Sequence, residues 1–463
     1  MHNYEHLNFV MMHIYEQFSI AFNYKVCSLY FNDSGTDIKP MSSLAGGFQV
    51  LARNRVVVTG LGVVAPNGIG KETFWSSILE CRSGIKPVTS FDVSQYSCRI
   101  AGEVADFSPE IHIGANVATK RLSRQTQLAL AASIEALSCA KLTPEMIASK
   151  LPVPLVLGIG CAPMDIIEEG MSRLFKRGPT KVPSHTVYSG QPHHAAISVA
   201  KFFPIITQSL TVSSACAAGL DAIGMAADII RQGRADVAIC GGTDAPINPM
   251  TFACLAKTGL LTFRNDHPGK ASRPFDYDRD AGIVSEGAGI VVLENLDHAL
   301  GRGVKPWLEI TGHSSLVDLD HANPGCGLTA TMRMALANAG KRPAHVDYIC
   351  AHGPGDPVID RNETSSIKEL FGQRAYHVPV SSIKGVTGNP LAAAGAFQVI
   401  ACSLAMRDHA IPPTANLDKP DPACDLDYVP LHFRKAVLNT ILINSHGLGG
   451  GNSSLIVERL NIS

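Results

Sequence analysis

From residue 55 onward, short β-type runs alternate with segments of helical period, and this alternation restricts the chain to an α/β protein with helices covering its sheets. The first run, Arg55-Val56-Val57-Val58-Thr59-Gly60, reads as a buried strand ending in the glycine turn Gly60-Leu61-Gly62. Further core strands are expected at 155–160, 210–212, 235–242 and 286–293. After a linker near 297–305 a similar series repeats: strand 306–312, helix 329–339, strand 346–351, helix 363–371, loop 381–388, helix 392–407, and strands 440–444 and 454–458. Two halves of similar element order, 53–300 and 301–463, predict an internal structural duplication without a residue-level repeat. At 463 residues the chain is long enough to bury a core of that size.

Residues 1–52 have a different texture, rich in aromatics, Met and Asn with no clear period. They read as an extension peripheral to the fold: an extra helix, a disordered arm, or sequence upstream of a start at Met41.

Charge and cysteine usage narrow the function. A net charge of −1 supplies no field to attract nucleic acid or an anionic membrane. Twelve cysteines without a C-x-x-C pair argue against a zinc knuckle or a disulfide framework and fit a reducing cytosol. No metal cluster or nucleotide fingerprint is visible, since Gly60-Leu61-Gly62 is too short for the dinucleotide pattern. No apolar run reaches the ~18 residues of a membrane span, and Glu5 and Glu16 interrupt any signal-peptide pattern, so a cytoplasmic location is expected.

The chemistry concentrates at residues 210–233. A β-type run, Leu210-Thr211-Val212, leads through Ser213-Ser214-Ala215-Cys216-Ala217-Ala218-Gly219 into a helix with Leu220, Ile223, Ala227 and Ile230 on one face and Gly233 at C′. Cys216 is thereby expected at a helix N-terminus, where the dipole and free N–H groups favour thiolate and lower the cysteine pKa. On these residues alone it is either a nucleophile or one of several buried apolar cysteines. The small residues around it leave room for a substrate arm. Histidine-bearing glycine turns follow at 351–355 and 445–451.

Between Arg55 and Glu458 the landmarks Val56-Val57-Val58-Thr59-Gly60-Leu61-Gly62, Ser214-Ala215-Cys216-Ala217-Ala218-Gly219, Cys240-Gly241-Gly242-Thr243-Asp244, Arg273-Pro274-Phe275-Asp276, Glu286-Gly287-Ala288-Gly289, Ala351-His352-Gly353, Ser382-Ile383-Lys384-Gly385 and Asn444-Ser445 occur in order. In this set the chain resembles the elongating β-ketoacyl-acyl-carrier-protein synthases and the ketosynthases of polyketide pathways. The resemblance implies a thiolase-like fold of duplicated αβαβα layers and a homodimer, or a heterodimer with a related ketosynthase subunit. It implies no bound cofactor, with phosphopantetheine arriving on an acyl carrier protein that brings acyl and malonyl thioesters. By the same resemblance Cys216 is the nucleophile, the N–H groups of Cys216 and Leu448 form the oxyanion hole, and His352 supports the enolate. Lys384 organises the pocket with Glu363 as its ion-pair partner.

Three departures accompany these matches. The lysine loop ends Thr387-Gly388-Asn389 where the family has a second histidine, and an amide donates a hydrogen bond but carries no proton at neutral pH. Pro354 and Asp356 replace hydroxyl residues that hold the pantetheine arm. In Ser445-His446-Gly447-Leu448 the family commonly has two gating phenylalanines, so Leu448 would widen the acyl pocket and His446 would add a polar or basic group. The leading expectation is decarboxylative Claisen condensation through acyl-Cys216, with His352 and Asn389 on the enolate. The alternatives are acyl transfer from Cys216 to an alcohol or amine, with His446 or His352 as base, and a partner subunit of an active ketosynthase, which retention of Cys216 opposes.

Overall fold

A computed structural model of the chain describes residues 54–148, 152–203, 208–320 and 322–461, and the extension expected at 1–52 lies outside them. The central sheet repeats one strand order. In the first half β1 (Val56–Ala65), β2 (Leu155–Gly158), β3 (Ser209–Val212), β4 (Val237–Asp244) and β5 (Gly287–Asn295) lie in the order β3-β2-β4-β5-β1. In the second, β6 (Leu308–Val317), β7 (Tyr348–Cys350), β8 (Val380–Ser381), β9 (Thr440–Gly447) and β10 (Gly451–Glu458) lie in the order β8-β7-β9-β10-β6. Parallel β2–β3 and β2–β4 pairs are matched by β7–β8 and β7–β9, and antiparallel β4–β5 and β5–β1 by β9–β10 and β10–β6. The two series join where Val56–Val58 of β1 run antiparallel to Leu308–Ile310 of β6. The duplication expected from element order is therefore present strand by strand.

Helices supply the other layers. α1 (Arg124–Cys139) and α2 (His194–Phe202) cover the first half, and α3 (Ala218–Arg231) lies inside. α4 (Leu296–Gly301) precedes β6, and α5 (Leu328–Asn338) and α6 (Pro357–Phe371) cover the second half. α7 (Lys384–Thr387) is a single turn, and α8 (Ala393–Asp408) packs on α3 between the halves. A helix with sheet on both sides must be apolar all round. Every residue of α8 from Ala393 to Met406 is buried accordingly. Gly219 lets the α3 backbone approach α8, since a Cβ there would overlap the Ala392 carbonyl oxygen. At its other end α3 closes on Gly233, φ 71°, whose N–H reaches Ile230 O at 2.8 Å while Arg234 N reaches Ile229 O at 3.1 Å.

Three local expectations are corrected. Gly60 and Gly62 are not a turn; they lie within β1, where a Cβ on either would overlap a carbonyl oxygen of α1, so the glycines mark close helix-to-strand packing. The stretch 297–305 contains α4, because the Asn295 side chain accepts from Asp297 N at 2.8 Å and His298 N at 3.3 Å and caps a helix there. The loop expected at 381–388 contains the end of β8 and α7. Among the described residues no helix is long and apolar enough to cross a membrane.

Candidate active site

Cys216 sits where β3 gives way to α3. Ala215–Ala217 form one 3-10 turn and Ala218 begins the helix proper. Ala215 stands at φ 51°, a left-handed conformation that costs a non-glycine residue roughly 1–3 kcal/mol and is held only by its surroundings. The first bond of the turn runs from Ala217 N to Ser214 O at 3.2 Å, so the Cys216 N–H lies ahead of it. From the second half, Ser445 Oγ donates to Cys216 O at 3.0 Å, and the Leu448 backbone lies near enough to the Cys216 sulfur to pull its pKa down. Gly447 makes that approach feasible, since a Cβ there would lie 2.5 Å from Ser214 O. The Leu448 turn of the second half thus lies against the cysteine of the first.

The expectation of a low thiol pKa is overturned. Cys216 is only 6% exposed, and burial pushes its pKa above the ordinary thiol value. The Lys384 charge and hydrogen bonds from Asn389 and Leu448 pull the other way without reversing it.

His352 follows β7, and Glu363 of α6 holds its turn by accepting from His352 N at 2.9 Å and Gly353 N at 2.8 Å. Asn444 Nδ2 adds a third bond to Glu363 at 3.2 Å. Lys384 and Glu363 make no direct ion-pair contact of the kind expected from the resemblance, although each charge still acts on the other. Lys384 Nζ instead donates to the His352 carbonyl and lies 3.4 Å from His352 Nδ1. Burial, Lys384 and His446 hold the His352 imidazole well below its ordinary pKa. Burial likewise lowers Lys384 and raises Glu363. A neutral ring with an ammonium on Nδ1 carries its hydrogen on Nε2, so His352 is a hydrogen-bond donor.

Asn389 Nδ2 lies 3.8 Å from the Cys216 sulfur, and its buried Oδ1 meets no partner among the described residues. Cys216, His352, Asn389, His446 and Leu448 line one cavity of about 510 Å³. Pro354 and Asp356 also line it, and Asp356 has a structural task, accepting from Val358 N at 2.8 Å and Ile359 N at 2.9 Å to cap α6. Leu448, 60% exposed, leaves the cavity open at its edge.

Sequence reasoning assigned no role to four contributors. Ser445 is one. Asp244 ends β4 and accepts from Gly160 N at 2.9 Å, Cys161 N at 2.8 Å and Ala392 N at 2.8 Å, tying the first half to the start of α8. Burial pushes its carboxyl up to about 7 despite these bonds. Asn452 and Asp318 stand behind His446. Only the register of the β9–β10 hairpin, which sets His446 opposite Asn452, could have signalled the pair. Among the described residues no cluster of His, Cys, Asp and Glu could hold a metal ion.

Residues 53–299 match the beta-ketoacyl synthase N-terminal domain family and residues 317–418 the beta-ketoacyl synthase C-terminal domain family. The chain is 38% identical over 414 residues to 3-oxoacyl-acyl-carrier-protein synthase 2 of Synechocystis sp., covering 88% of this chain and 99% of that one. It is 37% identical over 422 residues to the tetracenomycin polyketide synthase ketoacyl synthase alpha subunit of Streptomyces glaucescens, covering 88% and 98%. A solved type II polyketide synthase acyl-carrier protein in complex with its ketosynthase bound to the hexaketide superposes with a TM-score of 0.81 at 32% identity, covering 88% and 100%.

Proposed function

Because this chain belongs to the β-ketoacyl synthase family, we propose that it is an acyltransferase joining an acyl group on Cys216 to a malonyl unit, with loss of carbon dioxide. The carrying observation is a single sulfur met by the Asn389 amide at 3.8 Å, in a cavity that His352 and Leu448 also line.

In this reading the Cys216 sulfur attacks an acyl thioester, and the tetrahedral oxyanion rests on the N–H groups of Cys216 and Leu448. A malonyl thioester then enters. His352 Nε2–H and Asn389 Nδ2–H donate to its thioester oxygen, the bond to the carboxylate breaks, and the enolate carbon attacks the acyl group. Neither donor needs to move a proton while it stabilises the enolate, so an amide in place of a second imidazole is compatible with the step. Lys384 keeps the Nδ1 side of His352 occupied and Glu363 holds its backbone.

Both thioesters would arrive on the phosphopantetheine arm of an acyl carrier protein, with no resident cofactor. The alpha-subunit relative supports pairing with a second copy or with a related subunit, which native mass distinguishes. The test is intact mass spectrometry of wild type and Cys216→Ala with acyl- and malonyl-carrier thioesters. A Cys216-dependent adduct followed by a product two carbons longer is expected. An adduct that never extends would overturn condensation in favour of acyl transfer to an alcohol or amine.

A further inference from the structure

His446 lines the cavity with Cys216 and His352, yet the condensation above gives it no task. Its neighbours determine what the ring can offer. Asp318, just past β6, accepts from Gly325 N at 2.6 Å, Gly327 N at 2.8 Å and Asn452 Nδ2 at 2.7 Å. Gly450 O takes a second bond from Asn452 Nδ2 at 3.3 Å. These acceptors fix the amide, because its amino group must face them. The Asn452 oxygen is therefore turned to His446 Nδ1, 2.9 Å away. An amide oxygen only accepts, so Nδ1 carries the hydrogen and the lone pair of the ring's basic form lies on Nε2. The hairpin makes the arrangement rigid: His446 pairs with Asn452 across β9 and β10, and Asp318 N donates to Gly450 O at 2.7 Å.

The cavity wall then presents two donors, His352 Nε2–H and Asn389 Nδ2–H, and one imidazole acceptor. Acylation needs the acceptor. Burial keeps Cys216 as the thiol, and neither His352, already carrying its Nε2 hydrogen, nor an amide can take the proton, while the cavity's carboxylates Asp318, Asp320 and Asp356 are already accepting from backbone N–H groups. The charged and titratable groups that line the cavity with His446 are Cys216 before α3, His352 after β7 with Lys384 behind it, Asp356 at the start of α6, and Asp318 and Asp320 after β6; Asp318 Oδ2 lies 3.9 Å from His446 Nδ1.

We propose that His446 is the base that accepts the Cys216 thiol proton, with Asn452 and Asp318 as positioning residues that hold its lone pair open to the cavity. The step balances without any redox partner. The Sγ–H bond breaks and its proton goes to Nε2; the bond from Sγ to the acyl carbon forms; the bond from that carbon to the pantetheine sulfur breaks; and the proton passes from Nε2 to the departing sulfur. After condensation the expelled Cys216 thiolate regains a proton from solvent by way of the same nitrogen.

This inference rests on Cys216 being acylated, so the experiment reads that event first. Single-turnover adduct formation would be followed by intact mass with acetyl-, hexanoyl- and dodecanoyl-N-acetylcysteamine thioesters. His446→Gln is expected to slow it ~10²- to 10⁴-fold, the usual span for a lost general base. Added imidazole is expected to restore part of the rate to His446→Ala and none to Asn452→Leu, whose ring is present but unaligned. A Gln variant that keeps the wild-type rate overturns the role of His446. Should either variant lose its cooperative melt, wild type still tests the idea: the rate of adduct formation must change in deuterated buffer, and an unchanged rate overturns it. A wild type that forms no adduct with any thioester instead removes the nucleophile reading itself.

Discussion

His352 and His446 face each other edge to face across one cavity, ring centres 5.9 Å apart, and are held by opposite means. An ammonium approaches Nδ1 of the first, and an amide oxygen accepts from Nδ1 of the second. One ring is thereby left with a hydrogen on Nε2, whereas the basic form of the other has its lone pair there. The comparison teaches that what touches the far nitrogen, rather than the residue type, assigns a histidine its task.

Breaking the brace on His352 has the largest expected effect. Lys384→Met removes the cation that occupies Nδ1 and pulls the Cys216 pKa down, so condensation should fall roughly 10²- to 10³-fold, the scale of one lost transition-state donor. The alkylation profile of Cys216 with iodoacetamide should move to higher pH in the same variant. Stability should change in its pH dependence. Burial lowers the Lys384 pKa, so the folded state binds its proton less tightly than the unfolded state does, and wild-type stability from this group rises with pH. The Met variant should therefore lack that rise, and its melting temperature should depend less on pH than that of wild type. A variant that keeps activity would refute the assignment.

Removing the support behind the brace should show mainly as stability. Glu363→Gln replaces a carboxylate that meets three donors with an amide whose amino group cannot accept, leaving a backbone N–H of His352 or Gly353 unpaired. A loss of about 1–3 kcal/mol in denaturant unfolding is expected.

Asp244 acts on the sulfur from the first half. Its carboxyl, pushed up to about 7, holds a proton more tightly when folded than its ordinary value of 3.8 allows. Its stability contribution is thus full below about pH 4 and is lost as pH rises through 7. Asp244→Asn should flatten that slope, measured as melting temperature against pH. It should also shift Cys216 alkylation to lower pH, opposite to Lys384→Met, because the Asp244 charge raises the thiol pKa. An unmoved alkylation profile would separate Asp244 from the nucleophile.

The legible parts of this molecule were those carried by short-range pattern. Alternating β-type and helical runs are local, and the position of Cys216 between β3 and α3 follows from small residues before an amphipathic stretch. What was not legible depends on long-range packing. Gly60 and Gly62 read as a turn because glycine punctuates turns, whereas their reason is the α1 backbone lying against β1. Lys384 and Glu363 read as an ion pair by the family resemblance, whereas in the fold Glu363 holds two backbone N–H groups at His352 and Gly353 while Lys384 turns to the His352 ring and carbonyl. The helix-terminus argument for a low Cys216 pKa omitted burial, which wins here. Asp318 and Asn452, 134 residues apart, meet only after β6 and β10 pair.

The smallest expected effect tests whether the donor at position 389 needs to be an imidazole. Asn389→His would place a third ring near Cys216, close to the Nδ2 that now lies 3.8 Å from the sulfur. If His446 is the base and position 389 supplies only a hydrogen bond, a neutral imidazole N–H replaces an amide N–H like for like. Acylation should then stay at the wild-type rate and condensation should change by less than about tenfold, below the 10²-fold floor of general base catalysis. The sharper form combines it with His446→Gln. If the double variant recovers the acylation lost in the single one, a base at 389 can do the work of a base at 446, and the two positions are alternative sites for one proton acceptor. If it recovers nothing, the lone pair is useful only from the β9–β10 hairpin, where Asn452 and Asp318 hold it in place.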